Sequence, residues 1–373
     1  MSKINSFSKE EQNRYARHFS IPEFGVTAQE RLKKSSVLVV GAGGLGSPTL
    51  LYLAAAGVGH IGIVEFDIVD DSNLQRQVLY TTEDIGKSKA QTAKKRLKAL
   101  NPFIEITLHE TKLTTKNALE IISRYDIVAD GTDNFPTRYL VNDACVLAGK
   151  VNVYASIFRF EGQVAVFNFL QKEGTRSANY RDMFPAPPPP GMVPSCAEGG
   201  VLGVLPGIIG SMQASEVIKI LTSVGEPLVN LFFMMDVASF SMRTLKIKRN
   251  FKINITQLLD YELFCGISES NLKTEVKEIT VSELKEIINQ KADFQLIDVR
   301  EDFEYELSNI GGELIPSGSI LDNEQQVSRI KKVVIICRSG ARSATTIEQL
   351  QALGSFDNLY NLKGGMLAWE AEK

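Results

Sequence analysis

The sequence predicts an α/β protein: a mixed, mostly parallel sheet with helices on its faces, followed by a second, smaller α/β domain. Three observations carry this expectation. From Ser36 onward, apolar runs of strand length alternate with helix-length stretches, as a parallel sheet with crossover helices requires. A short polar stretch without periodicity, GISESNLKTEVK (266–277), reads as a linker. Beyond it a shorter strand and helix alternation begins again. A chain of 373 residues is long enough for about two or three domains, each with its own core. The expected boundaries are 1–265, the linker at 266–277, and 278–373.

In order, SVLVV (36–40) supplies the first strand and GHIGIVEFD (59–67) the second, with SPTLLYLAAAG (47–57) as the crossover helix. GKSKAQTAKKRLKAL (86–100) places Ala90, Ala93, Leu97 and Leu100 on one side at helical spacing. IEITL, DIVAD, VNVYAS and EGQVAVFNF read as further strands. The proline-rich FPAPPPPGMVPSC (184–196) is excluded from helix and central strand and must be a surface loop. GIIGSMQASEVIKILTS (207–223) is a helix, and VNLFFMMD and FSMRTLKIK are two more strands. In the second domain TVSELKEIINQ is a helix capped by Thr280 or Ser282, FQLIDVR and KKVVIIC are strands, and ARSATTIEQLQALG is a helix. There are no internal repeats.

Composition narrows the function. Lys plus Arg number 41 against 44 Asp plus Glu, so no overall field favours nucleic acid or an anionic membrane. The cysteines, Cys145, Cys196, Cys265 and Cys337, are few and far apart, which points to a reducing, cytoplasmic setting rather than a disulfide framework. The polar N-terminus has no signal-like apolar core. The most apolar segment, GGVLGVLPGIIGSM, is broken by Gly203, Pro206, Gly207 and Gly210 and reads as buried core, not a membrane span.

VVGAGGLGSP sets Gly41, Gly43 and Gly46 at the G-x-G-x-x-G spacing between strand and helix, where backbone N–H groups and a helix N-terminus meet a phosphate. Glu65 ends the next strand, where an acid reaches ribose hydroxyls. Taken alone, the motif favours a dinucleotide. Three features favour a Mg-nucleotide instead. DDSNLQRQ offers Asn73, Arg76 and Gln77. Lys87 and Lys89 start a helix, an unfavourable place for cations unless an anion lies nearby. ADGTDN puts Asp130 and Asp133 at the carboxyl end of a strand, where a carboxylate can hold Mg²⁺.

RYARH, GAGGLGSP, SNLQRQ, GKSKA, TDN and SCAEGGVLGVLPGIIGSMQA, in that order from about Arg14 to Gly266, resemble the MoeB/ThiF adenylyltransferases, relatives of the ubiquitin-activating enzymes. The resemblance implies a Rossmann-like nucleotide-binding fold. It also implies ATP-dependent adenylylation of the Gly-Gly carboxylate of a ubiquitin-like sulfur-carrier protein. Under it, Gly41, Gly43, Gly44 and Gly46 approach the phosphates and Glu65 the ribose. Asn73, Arg76 and Lys89 face the phosphates, and Asp133, beside Asn134, holds the magnesium. Arg17 matches an arginine that reaches into a partner subunit's site, implying a homodimer. Glu65 stands where the family usually has Asp.

The family commonly carries paired C-x-x-C motifs for zinc. Here the first reads NYRD, with Asn179 and Asp182 in place of cysteines, and the second region, KRNFKINITQ, has none. Zinc needs thiolate or imidazole ligands at close spacing, and His18, His60 and His109 are scattered, so no structural zinc is expected and packing takes over its role. Cys196, after the proline-rich loop, matches a cysteine that in similar proteins links covalently to the carrier; Cys145 and Cys265 read as structural.

In the second domain, CRSGARS (337–343) follows a strand and opens a helix. Such a cysteine is ringed by N–H groups and a positive helix end, which stabilises a thiolate and captures anions. Four residues separate Cys337 from Arg342, one fewer than in cysteine phosphatases, which leaves room for a terminal sulfur. With LIDVRE and NLKGGMLAW, the loop resembles the rhodaneses over about Glu278 to Trp369. The resemblance implies a persulfide on Cys337, cradled by Arg338, Ser339, Gly340, Ala341 and Arg342, with the two arginines holding or admitting the anionic donor. Asp298 and Arg300 brace the domain. Sulfur would come from a cysteine desulfurase or thiosulfate.

The halves fit together chemically. An acyl-adenylate is an electrophile and a persulfide a strong nucleophile, so the expected product is a carrier thiocarboxylate, with an acyl disulfide resolved by Cys196 as one route. Tethering raises the local concentration of the sulfur donor. Three other readings compete: an NAD-dependent oxidoreductase, which leaves SNLQRQ unused; a scaffold that binds a carrier without activating it, which has no need of Arg76, Lys89 and Asp133; and an adenylating enzyme with a passenger rhodanese, against which the intact CRSGARS speaks.

Overall fold

The computed structural model describes residues 6–188, 199–265, 276–354 and 356–372. Cys196 and most of the predicted linker, all but Val276 and Lys277, lie outside the described residues. The chain divides into two compact units, Met1–Ser268 and Glu269–Lys373.

In the first unit, α1 (Lys9–Arg14), α2 (Ala16–Phe19) and α3 (Gly25–Lys34) precede the sheet. Then β1 (Ser36–Val40), α4 (Gly46–Ala56), β2 (His60–Val64), α5 (Lys89–Leu100), β3 (Glu105–His109), α6 (Ala118–Ser123), β4 (Ile127–Asp130), α7 (Phe135–Leu147) and β5 (Val151–Phe158) alternate. β6 (Glu161–Phe167), α8 (Tyr180–Met183), α9 (Leu205–Thr222), β7 (Leu231–Asp236), β8 (Ser241–Lys246) and α10 (Tyr261–Phe264) complete it. The strands form one sheet in the order β3-β2-β1-β4-β5-β6-β7-β8. β1 to β5 are parallel, and β6 to β8 are antiparallel.

Burial explains the sequence of β1. Val37 to Val40 are all buried, because helices cover both faces of the parallel strands and leave no polar side. One apolar cluster packs α4 and α5 on one face; another packs α6 and α7 on the other. β1 has β2 on one side and β4 on the other. The chain therefore leaves the carboxyl ends of β1 and β4 toward opposite faces, which opens the crevice where ligands of such sheets bind.

The glycines of the apolar segment do not break α9, which runs through Gly207 and Gly210. A Cβ at Gly210 would stand 2.5 Å from Pro48 Cγ and 2.6 Å from the Leu45 carbonyl oxygen, so glycine there lets α9 cross closely over the start of α4. Gln213, one turn on, donates to the carbonyl oxygens of Asp130 and Val153, both at 2.8 Å.

The second unit comprises β9 (Lys277–Ile279), α11 (Val281–Asn289), β10 (Phe294–Asp298), α12 (Asp302–Leu307), β11 (Glu313–Leu314), β12 (Lys332–Ile336), α13 (Ala341–Ala352), β13 (Leu359–Leu362) and α14 (Gly365–Ala371). Its sheet has the order β11-β10-β12-β13-β9, all parallel. Thr280 is the residue that caps α11, through a capping box with Glu283. Arg300 binds both carboxylate oxygens of Asp298 and the carbonyls of Glu304 and Ser308, holding the chain after β10. No helix among the described residues is long and apolar enough to cross a membrane.

Candidate active sites

In the first unit a cavity of about 900 Å³ opens at the crevice beside β1 and β4. Gly41, Gly43 and Gly44 form its floor. Gly41 takes φ +89°, a conformation open to glycine, and a Cβ at Gly46 would collide with the Gly41 carbonyl oxygen. Gly46 thus shapes the turn without lining the cavity. The Glu65 carboxylate is nearly buried and accepts from the backbone N–H groups of Ala42, Phe66 and Asp67 at 2.8 to 3.0 Å. It ties the glycine loop to the end of β2 while facing the cavity.

Cations line the same space. Lys89, the first residue of α5, is buried, 3.4 Å from Asp67. Arg76 stands opposite, donating to the Ser72 carbonyl oxygen at 3.1 Å, and Gln77 turns a buried Oε1 that has no hydrogen-bond partner among the described residues. Asn73 lies outside the lining; its side chain accepts from the Asp70 N–H and caps the turn that presents Arg76. Lys87 pairs with Asp84.

Of the two carboxylates at the end of β4, Asp133 faces the cavity with Asn134, which also caps α7 by accepting from the Thr137 N–H. Asp130 is fully buried and accepts from the Thr132 N–H and hydroxyl. It is not placed to meet a ligand. Burial pushes the Asp130 carboxyl up to about 6, although Arg138 and the Thr132 hydrogen bonds pull the other way.

A polyphosphate fits this donor set: glycine amides and two cations, Arg76 and Lys89, face one space. Mg²⁺ fits beside it, since that ion is commonly bound by one or two carboxylates plus substrate phosphates, with Asp133 as the carboxylate. Arg17, on α2, is exposed and does not line this cavity.

Asn179 and Asp182 close a capping box on α8. The Asp182 side chain also accepts from the Asn250 N–H at 3.0 Å and lies 3.6 Å from Arg249. These groups join 179–182 to 249–250 by hydrogen bonds and charge. The set does not fit zinc: a buried amide and a carboxylate, both already committed.

In the second unit Cys337 directly follows β12, buried, and Gly340 at φ +88° turns the chain into α13. The Gly340 N–H points at Cys337 Sγ (3.1 Å), and the Ser343 hydroxyl lies 3.3 Å from it. Ser343 is also 2.6 Å from Asn361 Oδ1 on β13. Arg338 and Ser339 are exposed, as is Ala341. Arg342 turns to α12, where its Nη1 and Nη2 donate to the two oxygens of Glu304 at 2.8 and 2.6 Å. The loop can therefore seat a sulfur against N–H and O–H donors at the N-terminus of a twelve-residue helix.

Residues 15–255 match the ThiF family. The chain belongs to the ThiF family. Residues 280–372 of this ThiF chain match the rhodanese-like domain. It is similar to the probable adenylyltransferase/sulfurtransferase MoeZ of Mycobacterium tuberculosis, 47% identical over 98% of this chain and 94% of that one. It is also similar to the sulfur carrier protein adenylyltransferase of Thermus thermophilus, 52% identical over 70% of this chain and 99% of that one. Adenylyltransferase and sulfurtransferase MOCS3 of Xenopus laevis is 39% identical over 95% and 85% of the two chains. Among solved structures, E. coli MccB bound to ATP superposes with a TM-score of 0.57 at 21% identity, over 66% of this chain and 75% of that one, a likeness of fold.

Several lining residues of the ThiF cavity escaped the sequence. Arg138 is buried on the first turn of α7, its guanidinium 5.4 Å from the centre of the Tyr154 ring. A cation in the first turn of a helix was the available signal, the same one that marked Lys89. Leu258 to Glu262 also line the cavity. Tyr261 is anchored there by donating to Asp143, which Arg181 holds through both carboxylate oxygens. Nothing local in the sequence places that segment against the glycine loop.

Proposed function

We propose that this ThiF-family chain uses ATP to adenylylate the C-terminal Gly-Gly carboxylate of a ubiquitin-like sulfur carrier and then replaces the adenylate with sulfur from Cys337. The observation that carries the reading is the cavity at the carboxyl ends of β1 and β4, with Gly41, Gly43, Gly44, Arg76, Lys89 and Asp133 on one space. The relatives named for adenylyl and sulfur transfer, matched over nearly the whole chain, support it.

Adenylylation joins the carrier's carboxylate oxygen to the α-phosphorus and releases pyrophosphate. Both reactants are anions, so the site's work is neutralisation and alignment. Lys89 and Arg76 offset phosphate charge, the glycine amides fix the chain of phosphates, and Glu65 receives ribose hydroxyls. Magnesium held by Asp133 would supply further charge neutralisation. Arg17 serves the cavity of a second copy, making the working form a homodimer.

In the second unit, the Cys337 thiolate takes a sulfane sulfur from its donor. The terminal sulfur of the resulting persulfide attacks the acyl-adenylate, and AMP leaves. Cys196 then attacks Cys337 Sγ of the acyl disulfide, releasing the thiocarboxylate and leaving a Cys196–Cys337 disulfide for a thiol reductant to reopen. The chemistry belongs to a reducing compartment, the cytoplasm, and needs neither nucleic acid nor membrane.

ATP–pyrophosphate exchange tests the first half. Exchange should require the carrier and fall about a hundredfold or more in Asp133→Ala, as expected for removing one charge that stabilises the transition state. No exchange with any Gly-Gly-ended carrier would leave the non-activating scaffold as the better reading, and full activity in the variant would remove Asp133 from the site.

A further inference from the structure

The Arg342 guanidinium is not free to serve an incoming anion. Both of its terminal nitrogens bind the Glu304 carboxylate, at 2.8 and 2.6 Å, in the fork-to-fork geometry that is the strongest form of this pair. The pair is largely shielded, with side-chain exposures of 21% and 16%. Burial favours the neutral carboxyl, but the hydrogen bonds from Arg342 and the Glu301 N–H outweigh it and hold Glu304 below the usual carboxylate range. Glu304 is therefore charged at neutral pH and cancels Arg342. Arg338, exposed and without an ion pair among the described residues, keeps the uncompensated charge of the loop.

We propose that Glu304 sets the class of sulfur donor: by neutralising Arg342 it fits the loop to a donor with a single negative charge, such as a persulfide on another protein's cysteine, and disfavours the free dianion thiosulfate. The inference rests on the reading of Cys337 as the sulfur carrier. The transfers differ only in charge. With thiosulfate, the Cys337 thiolate forms a bond to the outer sulfur, the S–S bond of thiosulfate breaks, and sulfite leaves with the electron pair. With a monoanionic thiosulfonate, the same bonds form and break and a sulfinate leaves. A protein persulfide likewise arrives with one charge and departs as a thiolate. Only the dianion needs a second cation beside the sulfur.

The test uses the full chain and its Glu304→Gln and Glu304→Ala variants, measuring steady-state sulfur transfer to cyanide from thiosulfate and from methanethiosulfonate. Glutamine keeps the volume and an oxygen for the Glu301 N–H; alanine checks that no new contact is responsible. The expected result is a fall of roughly five- to tenfold in KM for thiosulfate, with kcat nearly unchanged, and a smaller change for methanethiosulfonate. The gain should shrink as salt is raised. If all three proteins transfer sulfur and the ratio between the two donors does not change, the role of Glu304 is wrong while Cys337 stands as the carrier. If no donor loads Cys337 in any of the proteins, the sulfur-carrier reading falls and this inference falls with it.

Discussion

Single residues carry charge decisions that the fold only frames. Ser343 is fully buried with Cys337 Sγ, Asn361 Oδ1 and the Gly340 carbonyl oxygen all in reach, yet its hydroxyl has one proton. When Cys337 is a thiol, its S–H can donate to Ser343 and the hydroxyl can donate to Asn361. When the sulfur is an anion, the hydroxyl turns to it. Ser343→Ala should therefore slow alkylation of Cys337 by iodoacetamide at neutral pH by roughly tenfold, and Ser343→Thr should restore most of the rate; equal rates in the alanine variant would remove Ser343 from the account. Asp130 gives a pH test. Its folded carboxyl is raised to about 6 from an ordinary 3.8, so the folded state binds a proton the unfolded state has lost. That contribution is full below the unfolded value and is lost as pH rises through 6, up to roughly 3 kcal/mol. Thermal melts between pH 4 and 7 should show this loss in the wild type and not in Asp130→Asn; identical slopes would contradict it. Cys337 and the glycines were legible from motif spacing, Lys89 as a cation opening a helix, and Asp133 as a carboxylate at the end of a strand. Glu304 and Asn361 were not, because each meets its partner from an element distant in sequence.

Elements place those residues. The alternation of strands and helices from Ser36 to Val153 was readable, since parallel strands buried on both faces must be continuously apolar. The helix at 207–223 was readable too, and α9 runs there; less readable was the role of its glycines, which are the means of a close crossing. Gly210 sits over the start of α4, whose first residue closes the glycine loop. Gly210→Ala should destabilise the first unit by about 1–3 kcal/mol, because the Leu45 carbonyl oxygen cannot move aside without shifting that loop. It should also weaken ATP binding, read by calorimetry, whereas unchanged affinity and melting would show that the crossing has slack. The segment from Leu258 to Glu262 was invisible beforehand: nothing in LLDYE marks a site, and only the Tyr261–Asp143–Arg181 contacts turn it onto the cavity wall.

At the scale of the whole molecule, the polar stretch at 266–277 announced two domains, and the contacts divide at Ser268 and Glu269. Each unit supplies one half of a reaction that neither completes: an activated carboxylate in the first, a nucleophilic sulfur in the second. The most direct test is mass spectrometry of a Gly-Gly-ended carrier after one turnover with the full chain, ATP, magnesium, a persulfide donor and a thiol reductant. The carrier should emerge with a terminal oxygen replaced by sulfur. Cys337→Ala should still consume ATP and release pyrophosphate while forming no thiocarboxylate, and Asp133→Ala should do neither. Thiocarboxylate formed at the full rate by Cys337→Ala would contradict the central claim, since the sulfur would then reach the adenylate without the second unit.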